Sequence, residues 1–411
     1  MARDSWPWVT IAVVIAGLAA QNAALVLLGF AIGVACFGAQ LWSKLSLRRL
    51  HYERIVSEDH AFPGDEIGVT IRVVNKKSLP LPWIEVRDSF PESMTVGEAG
   101  HDARAAWQSN QSSVVWMTSA GPYEKLTRSY ALRAPARGIY HLGPATIRTG
   151  DPFGLFPEQR AGLEPTKLTV YPRPADIGEH PIPSRRPFGE NVGGLRLFED
   201  PSRVSGLRDY KSGDSLRRID WNATARLGKL QSRVYDPTSS HHLLVCLNTA
   251  TMTPSWIGSI PELFEGAITI AASLALHAHD ERYAVGLLAT SSVADADQSI
   301  RIPASRSSDQ LIRVLEALAV VTPYVLESLA AMLDREEYRM AVGTTLAIVT
   351  ATMPEDLVIT IQRLRRRGHP LIVCSPSGNR WQSELEGVDI RHIELPDAHP
   401  VSFAPPVEPE S

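Results

Sequence analysis

The chain has 411 residues, too many for one typical domain, so two or three folded units are expected. Hydrophobic residues make up 44% and charged residues 21%, an ordinary balance for a folded protein, and the net charge of -4 supplies no global attraction to nucleic acid or anionic lipid. Its three cysteines, Cys36, Cys246 and Cys374, are odd in number and far apart; that excludes a disulfide framework and a CxxC metal site, and suits small apolar residues in a reducing compartment.

The first predicted element is membrane-seeking. No charged residue stands between Asp4 and Lys44. That run of about 40 positions is twice the roughly 20 that one spanning helix needs. Gln21 and Asn22 break it in the middle, which predicts a helical hairpin over 1–44, with helices at about 6–20 and 24–42. Trp6, Trp8 and Trp42 lie near the ends, where indoles favour the interface. A cleaved signal peptide has an apolar core of only about 7–15 residues. Arg3, Lys44, Arg48, Arg49 and Arg54 flank the run and its turn is uncharged, so both ends are expected in the cytoplasm, with a multi-pass anchor and a cytoplasmic body.

From His51 the apolar period becomes two, as in Glu66–Val73, Trp83–Arg87 and Ser112–Thr118. Pro63-Gly64-Asp65 and the Asn75–Ser78 stretch supply turns. These features predict a β-sandwich of immunoglobulin-like type over 45–175, without the Cys…Trp…Cys pattern of antibody domains. The unit closes on RGIYHLGP and then DPFGLF. There Phe153 and Phe156 read either as plugs for the end of the sandwich or as part of a ligand loop.

Residues 176–240 hold a Pro- and Gly-rich linker and then a dense charged stretch. Gly189–Gly194 lacks the GxxxxGK[ST] spacing of a phosphate loop. From Gly206 the chain runs GLRDYKSGDSLRRIDWNATARLGKLQSRVY. Gly213-Asp214 makes a turn, and Asp214 or Ser215 is expected to cap a short helix whose apolar face is Leu216, Ile219 and Ala223. Trp221 reads as a buried type. Arg208, Asp209, Tyr210, Arg217, Arg218, Asp220 and Arg226 complete the candidate site. Three readings stay open for it: a solvated charged helix, an Arg–Asp network joining two halves of the molecule, and a docking surface for an acidic partner. Interleaved Arg, Lys, Tyr and Trp also occur in nucleic-acid binders. A single such patch on an overall acidic chain argues for no nucleic acid.

Over 241–395 short apolar runs alternate with helical periodicity. Strands are expected at His242–Leu247, 282–289, 297–303, 345–350, 371–374 and 388–395, and helices at 261–279, 309–321, 326–337 and 355–367. That alternation predicts an α/β doubly wound sheet, whose ligands sit at the carboxyl ends of the strands. His277 and His279 are two apart, on different sides of a helix, and suit its C-terminal dipole better than a shared ion. No GxSxG elbow occurs. The tail 396–411, with Pro400, Pro405, Pro406 and Pro409, is expected to be disordered.

The run GLRDYKSGDSLRRIDWNATARLGKLQSRVYD resembles the signature of the DUF58 family of bacterial proteins, and DPFGLF after RGIYHLGP resembles its upstream element. The resemblance covers nearly the whole chain. It implies an α+β multidomain layout of transmembrane hairpin, sandwich and von Willebrand factor A-like C-terminal domain. It also implies association with a AAA+ ATPase of the MoxR type, in the assembly or maturation of other proteins. The A-like domains hold a divalent metal through an Asp-x-Ser-x-Ser run and a further Asp. At the matching positions this chain has Asn248, Ala250, Met252 and Thr350, neutral groups that suit a hard cation poorly. A degenerate metal site and no cofactor are therefore expected. The leading expectation is a membrane-anchored, non-catalytic interaction protein. Its alternative is a metal-dependent ligand-binding receptor, or an enzyme using Asp209, Asp214 and Asp220.

Overall fold

The computed structural model describes residues 2–97, 107–110, 113–177, 199–211, 219–237, 242–292, 298–340, 343–376, 381, 385 and 387–393. The Pro/Gly-rich linker 178–198, Gly213, Asp214, Arg217 and Arg218 of the signature, and the tail 396–411 lie outside them. The chain forms two compact units, one built on Met1–Arg173 with Leu315–Val320 and the other on Pro174–Val314 with Val321–Pro400.

The first unit opens with α1 (Ala2–Ala19) and α2 (Ala23–Ser46). Asn22 ends the turn between them and caps α2, its side-chain oxygen accepting from the Ala24 and Leu25 amides at 3.0 and 3.4 Å. The helices pack closely because Gly29 has no side chain: a Cβ there would stand 2.7 Å from a Val14 methyl. One helix among the described residues, α2, is long and apolar enough to cross a membrane. The apolar part of α1, Trp6–Ala19, is shorter than a full span. The expected pair of spans therefore finds support in its second member alone.

Among the described residues twelve strands follow: β1 (Leu50–Val56), β2 (His60–Ala61), β3 (Glu66–Asn75), β4 (Leu81–Ser89), β5 (Thr95–Gly97), β6 (Trp107–Asn110), β7 (Ser113–Ala120), β8 (Lys125–Arg133), β9 (Gly138–Leu142), β10 (Ala145–Thr149), β11 (Glu158–Leu163) and β12 (Thr166–Val170). They form an antiparallel sheet in the order β1-β3-β8-β5, a second in the order β11-β10-β4-β7-β6, and a small third, β2-β12-β9. Period-two alternation sends Ile67, Val69, Ile71 and Val73 of β3 into the same core as Ile84 and Val86 of β4 and Trp116 of β7. The two larger sheets thus share one apolar layer.

That core contains a charge. Arg54 of β1 donates from Nε to Asp88 of β4 at 3.0 Å and from Nη2 to the other carboxylate oxygen, and both side chains are buried. Tyr130 of β8 donates its hydroxyl to the same carboxylate at 2.5 Å, and Arg54 Nη1 reaches the Leu142 carbonyl of β9 at 2.8 Å. Strands of all three sheets are tied through one guanidinium. Burial pulls the Arg54 pKa down, but the hydrogen bond and charge of Asp88 outweigh it and leave the guanidinium more firmly protonated than usual.

The rest of the chain holds β13 (Glu199–Asp209), α3 (Trp221–Leu227) and β14 (Gln231–Pro237), then β15 (His242–Leu247), α4 (Pro261–Asp280), β16 (Ala284–Ser292), β17 (Ser299–Ser305), α5 (Gln310–Val320, whose first residues alone belong to the second unit), α6 (Leu329–Glu337), β18 (Thr345–Val349), α7 (Glu355–Arg366), β19 (Leu371–Ser375) and β20 (Asp389–His392). From β15 onward these fall where the alternation places them. The sheet order is β17-β16-β15-β18-β19-β20; β17 alone is antiparallel, at one edge. Leu244, Cys246, Leu346 and Ile348 pack with Leu333 of α6 and Ile361 of α7. Their neighbours Leu243, Val245, Ala347 and Val349 are equally buried, so both faces of the sheet are covered.

Candidate functional site

The signature folds as a two-stranded ribbon with a short helix of about two turns carried between its strands. Residues Leu207, Arg208 and Asp209 of β13 face Arg233, Ser232 and Gln231 of β14. Helix α3 starts at Trp221 because Asp220, in extended backbone, accepts from the Ala223 amide at 3.0 Å. It stops because Gly228 takes a left-handed φ of 67° and returns its N–H to the Thr224 carbonyl. The expected cap at Asp214 or Ser215 lies outside the described residues; the helix that is described, α3, is capped by Asp220. Ile219, expected on the helix, is a buried residue bridged to Ser232.

The polar groups of the ribbon are paired with one another. Asp220 Oδ2 accepts from Arg233 Nε at 3.0 Å. Asp209 accepts from the Gln231 side-chain amide at 2.6 Å, and the Gln231 backbone N–H donates to Thr224 Oγ1 at 3.0 Å. The Tyr210 amide donates to the Leu230 carbonyl and the Asp220 amide to the Gln231 carbonyl, both at 2.9 Å. Arg208 Nη1 donates to the Asp209 carbonyl at 3.2 Å. The Ala223 N–H first, then Arg233, hold the Asp220 carboxyl below the usual carboxylate range.

What the ribbon leaves outside includes four large apolar side chains, beside the exposed Lys211, Asn222, Arg226 and Lys229. Trp221 is 66% exposed and Leu227 is 63% exposed, and Leu207 and Leu230 are also open. This reverses the expectation of a buried tryptophan. The buried positions instead belong to Ile219, Gln231 and Ser232. The reason is geometric: Asp220 fixes the helix start, so Trp221 occupies its first position, outside the ribbon's hydrogen-bonded seam. Arg226 is exposed in the last turn of α3, where the helix dipole favours a cation. Sequence reasoning passed over Gln231, Thr224 and Arg233, whose side chains lock the turn. A glutamine beginning a strand beside a Gly-ended helix carried no signal of its own.

A second candidate lies at the carboxyl edge of the parallel sheet. The chain proceeds from β15 to β16 and β17 on one side, then returns to place β18 on the other. The switch point therefore falls between the ends of β15 and β18. Asn248 and Thr350 follow those strands, and both are buried. The Asn248 amide nitrogen donates to Thr350 Oγ1 at 3.0 Å, its oxygen accepts from the Ala250 amide at 3.1 Å, and Thr350 Oγ1 donates to the Thr352 carbonyl at 2.5 Å. Thr249 adds a bond to Thr290 at 2.8 Å. A groove of about 240 Å³ opens there, lined by Asn248, Ala250, Met252, Trp256, Leu329 and Asp356, among others. Among the described residues no three His, Cys, Asp or Glu side chains converge. The donor set at the switch point is amide and hydroxyl, already committed to internal bonds, and it does not fit a resident hard cation.

Residues 206–393 match the model of a family described as "Protein of unknown function DUF58". The match supports membership of that family. It spans both the ribbon and the parallel sheet. The chain is also 26% identical over 238 residues to the "Uncharacterized protein YeaD" of Bacillus subtilis (strain 168); the alignment covers 57% of this chain and 54% of that protein, about half of its length. Among solved structures, a non-cellulosomal cohesin from Archaeoglobus fulgidus is 16% identical, covering 29% of this chain and 85% of that one, with a TM-score of 0.19. Alpha-2-macroglobulin from Escherichia coli, from domain MG7 to the C-terminus, is 18% identical, covering 30% of this chain and 23% of that one, with a TM-score of 0.24. Scores that low add nothing to the architecture described above.

Proposed function

We propose that the chain is a membrane-anchored interaction protein without catalytic activity of its own, in which the signature ribbon is the face that meets a protein partner. One observation carries this reading. Within the ribbon Asp209 and Gln231, and Asp220 and Arg233, are turned on each other while Trp221, Leu227, Leu207 and Leu230 are turned out beside Arg226 and Lys229. Exposed tryptophan with a nearby arginine, here Trp221 and Arg226, supplies two of the residue types that dominate interface anchors. The partner class is a AAA+ ATPase of the MoxR type, and the β unit is an immunoglobulin-like spacer. The C-terminal sheet is of the von Willebrand A class with its metal replaced by the Asn248–Thr350 hydrogen bond. The anchor is the α1–α2 hairpin, whose outward side chains include Trp8, Ile15, Leu27, Phe30 and Phe37; the body is cytoplasmic.

An enzymatic reading needs carboxylates available for work. Asp209 and Asp220 are engaged by Gln231, Ala223 and Arg233, so the described residues favour the interaction reading. The deciding experiment is capture from detergent-solubilised membranes of cells that express the ATPase. The wild-type chain is expected to retain the ATPase, and Trp221→Ala with Leu227→Ala to lose it while melting normally. Repeated failure of the wild type to retain it sinks the proposal. A reporter fused after Ser411 is expected to read cytoplasm, and labelling of that fusion from outside intact cells would reject the orientation.

A further inference from the structure

Two surface turns of the β unit are held against the C-terminal end of α2, and both carry large apolar side chains that nothing covers. The first is 151–156. The buried carboxylate of Asp151 accepts from the Phe153, Leu155 and Phe156 amides at 2.9, 3.3 and 2.6 Å, and the Asp151 carbonyl accepts from the Trp83 indole at 3.0 Å. Phe156 is buried, its carbonyl accepting from the Ser43 hydroxyl of α2 and its ring meeting Trp6 of α1 edge-on at 6.4 Å. Phe153 is 73% exposed and Leu155 is 47% exposed. The two phenylalanines have therefore parted: one plugs the joint with the hairpin, and the other stands in the open beside it.

The second turn is 121–124. Its Tyr123 amide donates to the Lys77 carbonyl at 3.2 Å, and Lys77 Nζ donates to the Ser46 carbonyl, the last of α2, at 2.5 Å. Tyr123 is 70% exposed. Around the same helix end Lys44, Arg48 and Arg49 are exposed, and Arg160 donates to the Leu47 carbonyl at 2.7 Å. Aromatic and aliphatic tips beside a ring of cations, at the end of an apolar helix, make the composition that enters the headgroup boundary of a bilayer. The cations favour anionic lipid locally, whatever the net charge of the chain.

We propose that the turns 121–124 and 151–156 form a lipid-contacting collar, with Phe153, Leu155 and Tyr123 immersed in the headgroup boundary of an anionic membrane surface and Lys44, Arg48 and Arg49 paired with its phosphates. The collar rests on the reading of α2 as a membrane anchor. It adds a second point of attachment, on the β unit itself, that fixes how that unit stands on the membrane. The Asp151 carboxylate is the positioning group: three amides converge on it, so the turn presents Phe153 and Leu155 in a fixed direction.

The test uses the full chain in vesicles of phosphatidylcholine and phosphatidylglycerol, with Cys36→Ala; the remaining thiols, Cys246 and Cys374, are buried. Spin labels are placed one at a time at Phe153→Cys, Leu155→Cys and Tyr123→Cys. Phe30→Cys on the exposed face of α2 serves as the lipid reference. Glu58→Cys serves as the aqueous one, beyond the far end of β1 and about 20 Å along that strand from α2. Collisions with oxygen report lipid, and collisions with a water-soluble nickel chelate report water. The labels at 153 and 155 are expected to be oxygen-dominated at a depth shallower than 30, with 123 at the boundary and 58 chelate-dominated. If 30 reads lipid while 153 and 155 both match 58, the collar is overturned and the anchor stands. If 30 also reads water, the anchor itself has failed and the collar falls with it.

Discussion

Two guanidinium–carboxylate pairs in this molecule have the same chemistry and opposite settings. Arg54–Asp88 is sealed in the β core, with both side chains buried. Arg233–Asp220 lies on the signature ribbon, and its arginine is open to solvent. The first pair must hold charge in a medium of low dielectric, so every lone pair and proton needs a partner: Tyr130, Leu142 and Asp88 supply them. The second competes with water and contributes mainly direction, by fixing where α3 starts. Burial, not the residue pair, decides whether such a contact holds a fold together or merely sets a local shape.

The largest effect is expected from breaking the buried pair one-sidedly. Asp88→Ala leaves the Arg54 charge buried and unpaired and should cost about 3–5 kcal/mol. It should show as loss of the melting transition of the β unit in the detergent-solubilised chain. Arg54→Met with Asp88→Leu and Tyr130→Phe removes both buried charges and the Tyr130 hydroxyl at once and should recover most of that loss. A triple variant as unstable as Asp88→Ala would mean that the pair supplies something an apolar core cannot. Tyr130→Phe alone removes one hydrogen bond to a carboxylate that keeps two from Arg54, and should cost about 1.5 kcal/mol in the same melt.

The contrast also explains what the sequence disclosed. The C-terminal sheet was legible because its strands are continuous apolar runs and its helices carry one apolar stripe. The β unit was legible from period two, and the same period marks the buried pair. Arg54 is in phase with Leu50, Tyr52 and Val56 of β1, and Asp88 with Ile84 and Val86 of β4. A charge standing in an apolar register is the signal, and it is a quieter one than the clustered arginines of the signature. Trp221 was misjudged for the opposite reason. Tryptophan is apolar enough to suggest burial, but its exposure is set by the Asp220 cap one residue earlier, a local event that composition does not report. The parting of Phe153 and Phe156 depends in the same way on the three amides gathered by Asp151.

The exposed pair yields a smaller effect with a definite sign. The folded Asp220 carboxyl titrates below its ordinary value, so its stabilising contribution is complete above the unfolded value of about 4 and is lost as the pH falls through the folded value. Protection of the α3 amides against hydrogen exchange, corrected for the intrinsic pH dependence, should therefore drop below about pH 4 in the wild type. Asp220→Asn keeps an oxygen for the Ala223 amide but has no proton to gain, so its protection should be lower at neutral pH and flat through the acid range. Retention of the acid step in that variant would assign it to another group.

The smallest expected effect on stability belongs to the residue with the largest expected effect on function. Trp221 is two-thirds open and lies outside the hydrogen-bonded seam, so Trp221→Ala should shift stability by no more than about 0.5 kcal/mol. If the ribbon is a docking face, the same change should lower partner affinity at least tenfold, which is about 1.4 kcal/mol of binding. The two pairs make this separation clean. Asp88→Ala is expected to lose partner binding only in proportion to the protein that unfolds, whereas Trp221→Ala should lose it with the melt unchanged. A Trp221→Ala chain that melts early would place the indole in a packing role, and the ribbon would then be a brace like the core pair, held by hydrophobic contact in place of charge.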